Sequence, residues 1–66
     1  MTDSELRRMH LRALKGLKFA STCEFGRERR IEKYAKMVDK CYFEMMDRDL
    51  PPLEEASRIM RDMGLG

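Results

Sequence analysis

Three side chains in this sequence have reactive chemistry of their own: His10, which is the one histidine, and the two thiols of Cys23 and Cys41. Such groups could bind a metal ion or form a nucleophile and its base. Their spacing favours neither, since the cysteines lie 18 residues apart with no CxxC or HxxxH pattern around them. We therefore predict two free thiols, no metal site, no cofactor, no small-molecule ligand and no enzymatic activity.

His10 and Cys41 have structural explanations instead. On a helical wheel His10 falls between apolar residues of one face, which predicts a half-buried, hydrogen-bonded core histidine. Cys41 falls on an apolar stripe and is expected to be a small core residue. Nothing in the sequence supplies a base beside Cys23, so we expect no catalytic role for its thiol.

Basic side chains form a second set with possible chemistry. Residues 1–33 carry nine Lys or Arg against five acids, whereas residues 34–66 carry five against seven. Between Leu6 and Cys23 there is no acid at all. A basic surface of this kind could bind the phosphates of nucleic acid or an acidic protein. The candidate nucleic-acid interface consists of Arg7, Arg8, Arg12, Lys15, Arg27, Arg29 and Arg30.

The same cations have a simpler explanation. An antiparallel pair of helices would place those of the first helix near Asp39, Glu44 and Asp47 of the second, and the remainder would be a solvated face. The net charge of the whole chain is only +2. Because a dedicated nucleic-acid-binding domain is usually much more basic, we favour this interpretation over nucleic-acid binding.

Helices must position all of these groups, because helix-favouring residues dominate and only five residues are β-branched. The apolar spacing predicts an all-α protein with helices at about 3–19, 27–48 and 52–63. We expect the first two to form an antiparallel hairpin, to which the short third helix is added. The whole chain, 1–66, is predicted to be one small domain.

Capping residues set the predicted ends of these helices. Thr2 and Glu5 have the spacing of a capping box, and Gly64 suits a left-handed cap. Pro52 suits the first turn of the third helix. The second helix is expected to start after Gly26, although a start as early as Thr22 also fits the capping pattern.

The second helix carries the strongest apolar stripe in the chain. A chain of 66 residues buries a small core, so its stability as a monomer is marginal. We therefore predict a homodimeric bundle, with the stripe as its seam. The seam residues are Ile31, Tyr34, Val38, Cys41, Tyr42 and Met45.

A few further apolar residues lie beside this stripe and form the predicted partner-binding set. They are Phe43, Met46, Leu50 and Met37. Two explanations compete for the first three: the third helix folds back over them, or a second chain covers them. The short Pro51-Pro52 connection favours fold-back, while Met-rich surfaces are typical of adaptable protein interfaces.

No segment is apolar enough to span a membrane, and the acidic start at Asp3 and Glu5 does not resemble an export signal. We therefore expect a cytoplasmic protein without membrane contact. The sequence predicts a small, non-catalytic regulatory or adaptor protein that binds a larger protein. The alternative is a dimeric nucleic-acid-binding regulator that uses the basic residues above.

Overall fold

The all-α prediction is confirmed: in the computed structural model, residues 2–64 form three helices and no strand. Helix α1 spans Asp3–Thr22, α2 spans Arg27–Asp47 and α3 spans Glu54–Asp62. Met1, Leu65 and Gly66, which the single-domain prediction over 1–66 also includes, lie outside the described residues.

Helix α1 begins as predicted, because the Thr2 hydroxyl accepts a hydrogen bond from the Glu5 amide at 3.2 Å. It ends later than the predicted residue 19. Ser21 and Thr22 lie beyond that predicted end, and their hydroxyls donate to the carbonyls of Lys18 and Phe19 at 2.7 and 2.8 Å. Hydroxyls that bond back onto the preceding turn are compatible with helical backbone, so the helix continues to Thr22.

Helix α2 starts after Gly26, which takes the left-handed conformation at φ 66°. The later of the two predicted starts is therefore correct. At its other end Asp49 is left-handed at φ 60°. The Leu50 amide donates to the Met45 carbonyl at 2.8 Å and the Asp49 amide to the Met46 carbonyl at 3.1 Å, which is a Schellman motif.

Helix α3 starts two residues after the predicted position. Pro52 precedes the helix, and Leu53, with extended backbone, is its N-cap. The predicted acids Glu54 and Glu55 do occupy the first turn, where they face the positive end of the helix dipole. Gly64 adopts the predicted left-handed conformation at φ 73°.

Helices α1 and α2 pack against each other. Arg48, the C-cap of α2, contacts the first residue of α1, Asp3, at 3.2 Å. Farther along, the ring of Tyr34 lies against Gly16. Helix α3 packs on α1, so that the main core consists of Ala13, Leu14, Leu17, Val38, Ala56 and Ile59. A smaller core consists of Leu6, Cys41 and Met45, with Leu50 packed against it.

Candidate functional site

An apolar patch stands on the surface of α2 near its C-terminal end. Its residues are Tyr42, Phe43 and Met46, with exposed side-chain fractions of 39, 64 and 58%. The Tyr42 and Phe43 rings contact edge to face, with centroids 6.3 Å apart. Large apolar side chains exposed together on a small protein are typical of binding surfaces.

The prediction that the third helix folds back over Phe43, Met46 and Leu50 is wrong for Phe43 and Met46. Helix α3 lies against α1 instead, where Glu55 pairs with Lys15 at 3.1 Å and Asp62 pairs with Lys18 at 3.4 Å. Its apolar residues Ala56 and Ile59 are buried in the main core. The apolar side of α3 is thus engaged with α1, and Phe43 and Met46 stay exposed.

The other two predicted partner-binding residues do not belong to this patch. Leu50 is half-buried against the smaller core, because the Schellman motif turns it back onto Met45. Met37 is half-buried and packs against the main core. Met37 also lines a separate groove of about 400 Å³ together with Leu6, Met9 and Cys41.

The predicted dimer seam is largely covered within the chain. Val38, Cys41 and Met45 are buried, Ile31 and Tyr34 are half-buried, and only Tyr42 of the six is exposed. The residues that cover them belong mainly to α1. In this structure the stripe meets α1 of the same chain. A homodimer, which stays a prediction, therefore needs a different surface.

Within residues 2–64, no ion pair joins a cation of α1 to Asp39, Glu44 or Asp47 of α2, contrary to the simpler interpretation. Lys15 and Lys18 pair with α3, and Glu44 pairs with Arg48 of its own helix at 3.0 Å. Arg7 is half-buried, and its Nε has no hydrogen-bond partner among residues 2–64. The predicted basic interface is therefore divided, because Lys15 is engaged and Arg7 is partly covered.

The remaining predicted basic residues are exposed. Arg8 and Arg12 lie on α1, and Arg27 and Arg29 lie in the first turn of α2. Arg30 is also exposed and donates from Nη1 to Cys23 Sγ at 3.6 Å. Three arginines thus stand together at the connection between α1 and α2.

Two exposed aromatic residues near this connection are not among the site residues predicted from the sequence. Phe19 is 67% exposed and Phe25 is 86% exposed. Phe19 was placed at the end of the first helix, so its position on the basic side of that helix was overlooked. When the helical wheel is extended to residue 22, Phe19 falls on the same face as Arg12 and Lys15, which would have indicated its exposure.

His10 is fully buried, which goes beyond the predicted half-burial. Its ring lies beside that of Tyr42, with centroids 6.2 Å apart and planes inclined by 33°. Neither ring nitrogen has a hydrogen-bond partner among the described residues, so the expected hydrogen bond is not formed. Burial lowers the pKa of His10, because the charged imidazolium loses its hydration.

The two cysteines are both free and differ in environment. Cys41 is buried as predicted, and burial, together with the charge of Glu44, raises the pKa of its thiol against the opposing effect of Lys40. Cys23 is half-buried beside Arg30. No group of three or more His, Cys, Asp or Glu that could hold a metal ion occurs within residues 2–64.

Comparison of the chain with protein-family models, curated proteins and solved structures gave no match. None of the helices in the described part of the chain is both long and apolar enough to cross a membrane. Two exposed surfaces of the chain are candidate binding sites: the apolar patch on α2, and the arginines near Phe19 and Phe25.

Proposed function

We propose that this chain is a small, non-catalytic regulatory or adaptor protein of the cytoplasm, which acts by protein–protein contact through the apolar patch of Tyr42, Phe43 and Met46. Its scaffold is an antiparallel helical hairpin closed by α3. The observation that carries the proposal is the exposure of Phe43 and Met46 on a helix whose opposite side is buried. Aromatic residues and Met are enriched in protein interfaces, which supports a protein as the partner.

The patch has the features of an interface centre. Phe43 projects about 160° around the helix from the buried Met45, so it contributes little to the core of its own chain. The ring of Tyr42 lies between the rings of His10 and Phe43 and contacts both. Aromatic side chains have few rotatable bonds, so ordering them on binding costs little conformational entropy, which favours this pair as an anchor for a partner.

Affinity capture from native extract tests this function. The unmodified chain should retain a partner protein, and Phe43→Asp or Met46→Asp should abolish its capture. Phe25→Asp is the matched control, because Phe25 is also an exposed phenylalanine but lies far along the chain from the patch. Circular dichroism should show the same helicity for all variants. Equal capture by Phe43→Asp and the unmodified chain would contradict the proposal.

The second candidate function is nucleic-acid binding by Arg8, Arg12, Arg27, Arg29 and Arg30. The exposure of Phe19 and Phe25 near these cations favours it, since aromatic rings next to Arg can stack on the bases of a single strand. In this alternative the affinity should fall steeply with salt, and Arg→Ala changes should reduce the salt slope.

Fluorescence anisotropy with labelled single-stranded and duplex DNA tests the alternative. Phe19→Ala should weaken binding to the single strand, whereas Arg29→Ala should weaken binding to both forms. Met46→Ala is the control, because it leaves the basic residues unchanged. Absence of binding to either form at about 50 mM salt would exclude this function.

A further inference from the structure

We propose that a second copy of this chain occupies the apolar patch, with the two α2 helices packed antiparallel across Phe43. This inference rests on the proposed function, since it requires the patch to be a protein interface. It differs from the seam predicted from the sequence, whose residues are mostly buried within one chain. The exposed side of α2 is the surface that pairs.

A stripe on this side of α2 carries the residues that specify the partner. From residue 36 to residue 47, five residues fall within an arc of about 100°, on the side opposite the buried Val38 and Met45. They are Lys36, Lys40, Phe43, Glu44 and Asp47. Arg29 and Lys33 continue the same arc toward the N-terminus of α2. Along the paired segment, the two lysines come first, Phe43 next and the two acids last.

This order is complementary to itself when one copy is reversed. In an antiparallel pair with its two-fold axis between residues 41 and 42, Lys36 lies opposite Asp47 of the second copy. Lys40 lies opposite Glu44 of the second copy when the axis is moved by half a residue, to residue 42. Two-fold symmetry repeats both contacts, so one alignment forms four pairs of opposite charge. A parallel arrangement would instead place Lys opposite Lys and acid opposite acid.

The same alignment brings the two phenylalanines together. Phe43 lies one and a half residues from the two-fold axis, so its ring is offset by about 4.5 Å along the helix from Phe43 of the second copy. Met46 flanks the ring on the side of Tyr42. The most exposed residue of the patch thus becomes the centre of the contact, and the charges surround it.

Existing ion pairs on α2 do not prevent this pairing. Lys36 contacts Glu32 at 3.4 Å within the same helix, and both side chains are largely exposed. Pairs of this kind contribute little to stability and exchange readily with other partners. Glu44 contacts Arg48 at 3.0 Å, and Lys40 of the second copy would approach the same carboxylate from outside the chain.

The dimer should be weak and dependent on concentration. One face of one helix from each copy buries less than the ~1,000 Å² that a stable interface usually needs. Sedimentation equilibrium from about 10 μM to about 1 mM should therefore show a shift from the 7.9 kDa monomer to twice that mass. Phe43→Asp should abolish the shift, whereas the control Phe25→Asp should retain it.

A charge exchange tests the antiparallel register itself. The double variant Lys36→Glu, Lys40→Glu carries an acid at each of positions 36, 40, 44 and 47. The double variant Glu44→Lys, Asp47→Lys carries a lysine at each of the same positions. Each double variant should remain monomeric alone because its like charges repel. An equimolar mixture should form a heterodimer at least as tight as the original homodimer. Circular dichroism should confirm that both variants remain helical.

Three results would overturn the inference: a monomer at about 1 mM, retention of the dimer in Phe43→Asp, or no heterodimer from the two charge variants. A chain that stays monomeric but captures a foreign protein in a Phe43-dependent manner would overturn the homodimer alone. A chain that dimerises through Phe43 and captures nothing further would support the inference and restrict the proposed function to self-association.

Discussion

The ring of Tyr34 lies directly on Gly16 where α2 crosses α1. A Cβ atom at position 16 would stand 2.5 Å from Cε1 and 2.7 Å from Cδ1 of Tyr34, closer than atoms approach without displacement. Helix propensity alone would make Gly16 only a weak point of α1. The packing shows that the absence of a side chain there lets the two helices approach each other.

Gly16→Ala should therefore destabilise the protein even though Ala favours helix. Helix propensity alone would add about 1 kcal/mol, but overlap with a packed ring costs about 1–3 kcal/mol, and we expect a net loss. Urea denaturation followed by circular dichroism measures the difference. In a Tyr34→Ala background the same change should be stabilising. An increase in stability in both backgrounds would show that the contact is unimportant.

His10 should make the fold sensitive to mild acid. Its pKa is lowered in the folded state by burial, so the unfolded chain binds the proton more readily. Stability should therefore be intact above about pH 6.5 and decline as the pH falls below that value, by at most about 1.4 kcal/mol per pH unit. Denaturation midpoints measured between neutral and mildly acidic pH test this.

His10→Leu is the control for that prediction. The substitution removes the titrating group together with two buried nitrogens that lack partners among residues 2–64, so the pH dependence above the range of the carboxylates should disappear. An unchanged pH profile in His10→Leu would assign the acid sensitivity to other groups.

Because α3 packs on α1, truncation of two apolar residues should change the free energy of unfolding by very different amounts. Ile59 is buried in the main core, so Ile59→Ala should lower the free energy of unfolding by about 2–4 kcal/mol. Met46 is exposed, so Met46→Ala should change it by less than about 0.5 kcal/mol. If Ile59→Ala does not fold, Ile59→Val should still lose about 1 kcal/mol. A larger loss at Met46 than at Ile59 would mean that α3 covers the patch after all.

The two thiols should react at different rates. Cys41 is buried and the pKa of its thiol is raised, so both access and thiolate formation are reduced, whereas Cys23 is partly accessible. Brief alkylation of the folded protein should add one label, at Cys23, as mass spectrometry of its peptides can show. In urea both cysteines should be labelled. Labelling of Cys41 at the rate of Cys23 in the folded protein would contradict its burial.

Local features allowed the helices to be predicted and also explain the errors at their ends. Periodicity and caps act within a few residues, so Thr2, Gly26 and Gly64 had the predicted roles. Ser21 and Thr22 were misjudged because hydroxyls can either cap a new helix or bond back to the preceding turn, and short-range patterns do not separate the two.

The candidate site was only partly predictable for a different reason. Phe43 and Met46 could be placed beside the main stripe from their helical angles, but those angles do not say which neighbour covers them. The Schellman motif at Asp49 turns Leu50 onto Met45, and helix α3 then packs on α1 beside Lys15. The contact of α3 with α1 joins residues far apart in sequence, so no local pattern encodes it.

The sequence by itself determined that this protein is all-α, where its helices lie to within a few residues, and which apolar residues share a face. These properties depend on backbone preferences and on a period of 3.6 residues, both of which are local. Only the tertiary structure decided that α3 joins α1 and that Tyr42, Phe43 and Met46 remain exposed. The reason is that α3 buries Ala56 and Ile59 against α1, a contact between residues distant in sequence, and this leaves the patch open.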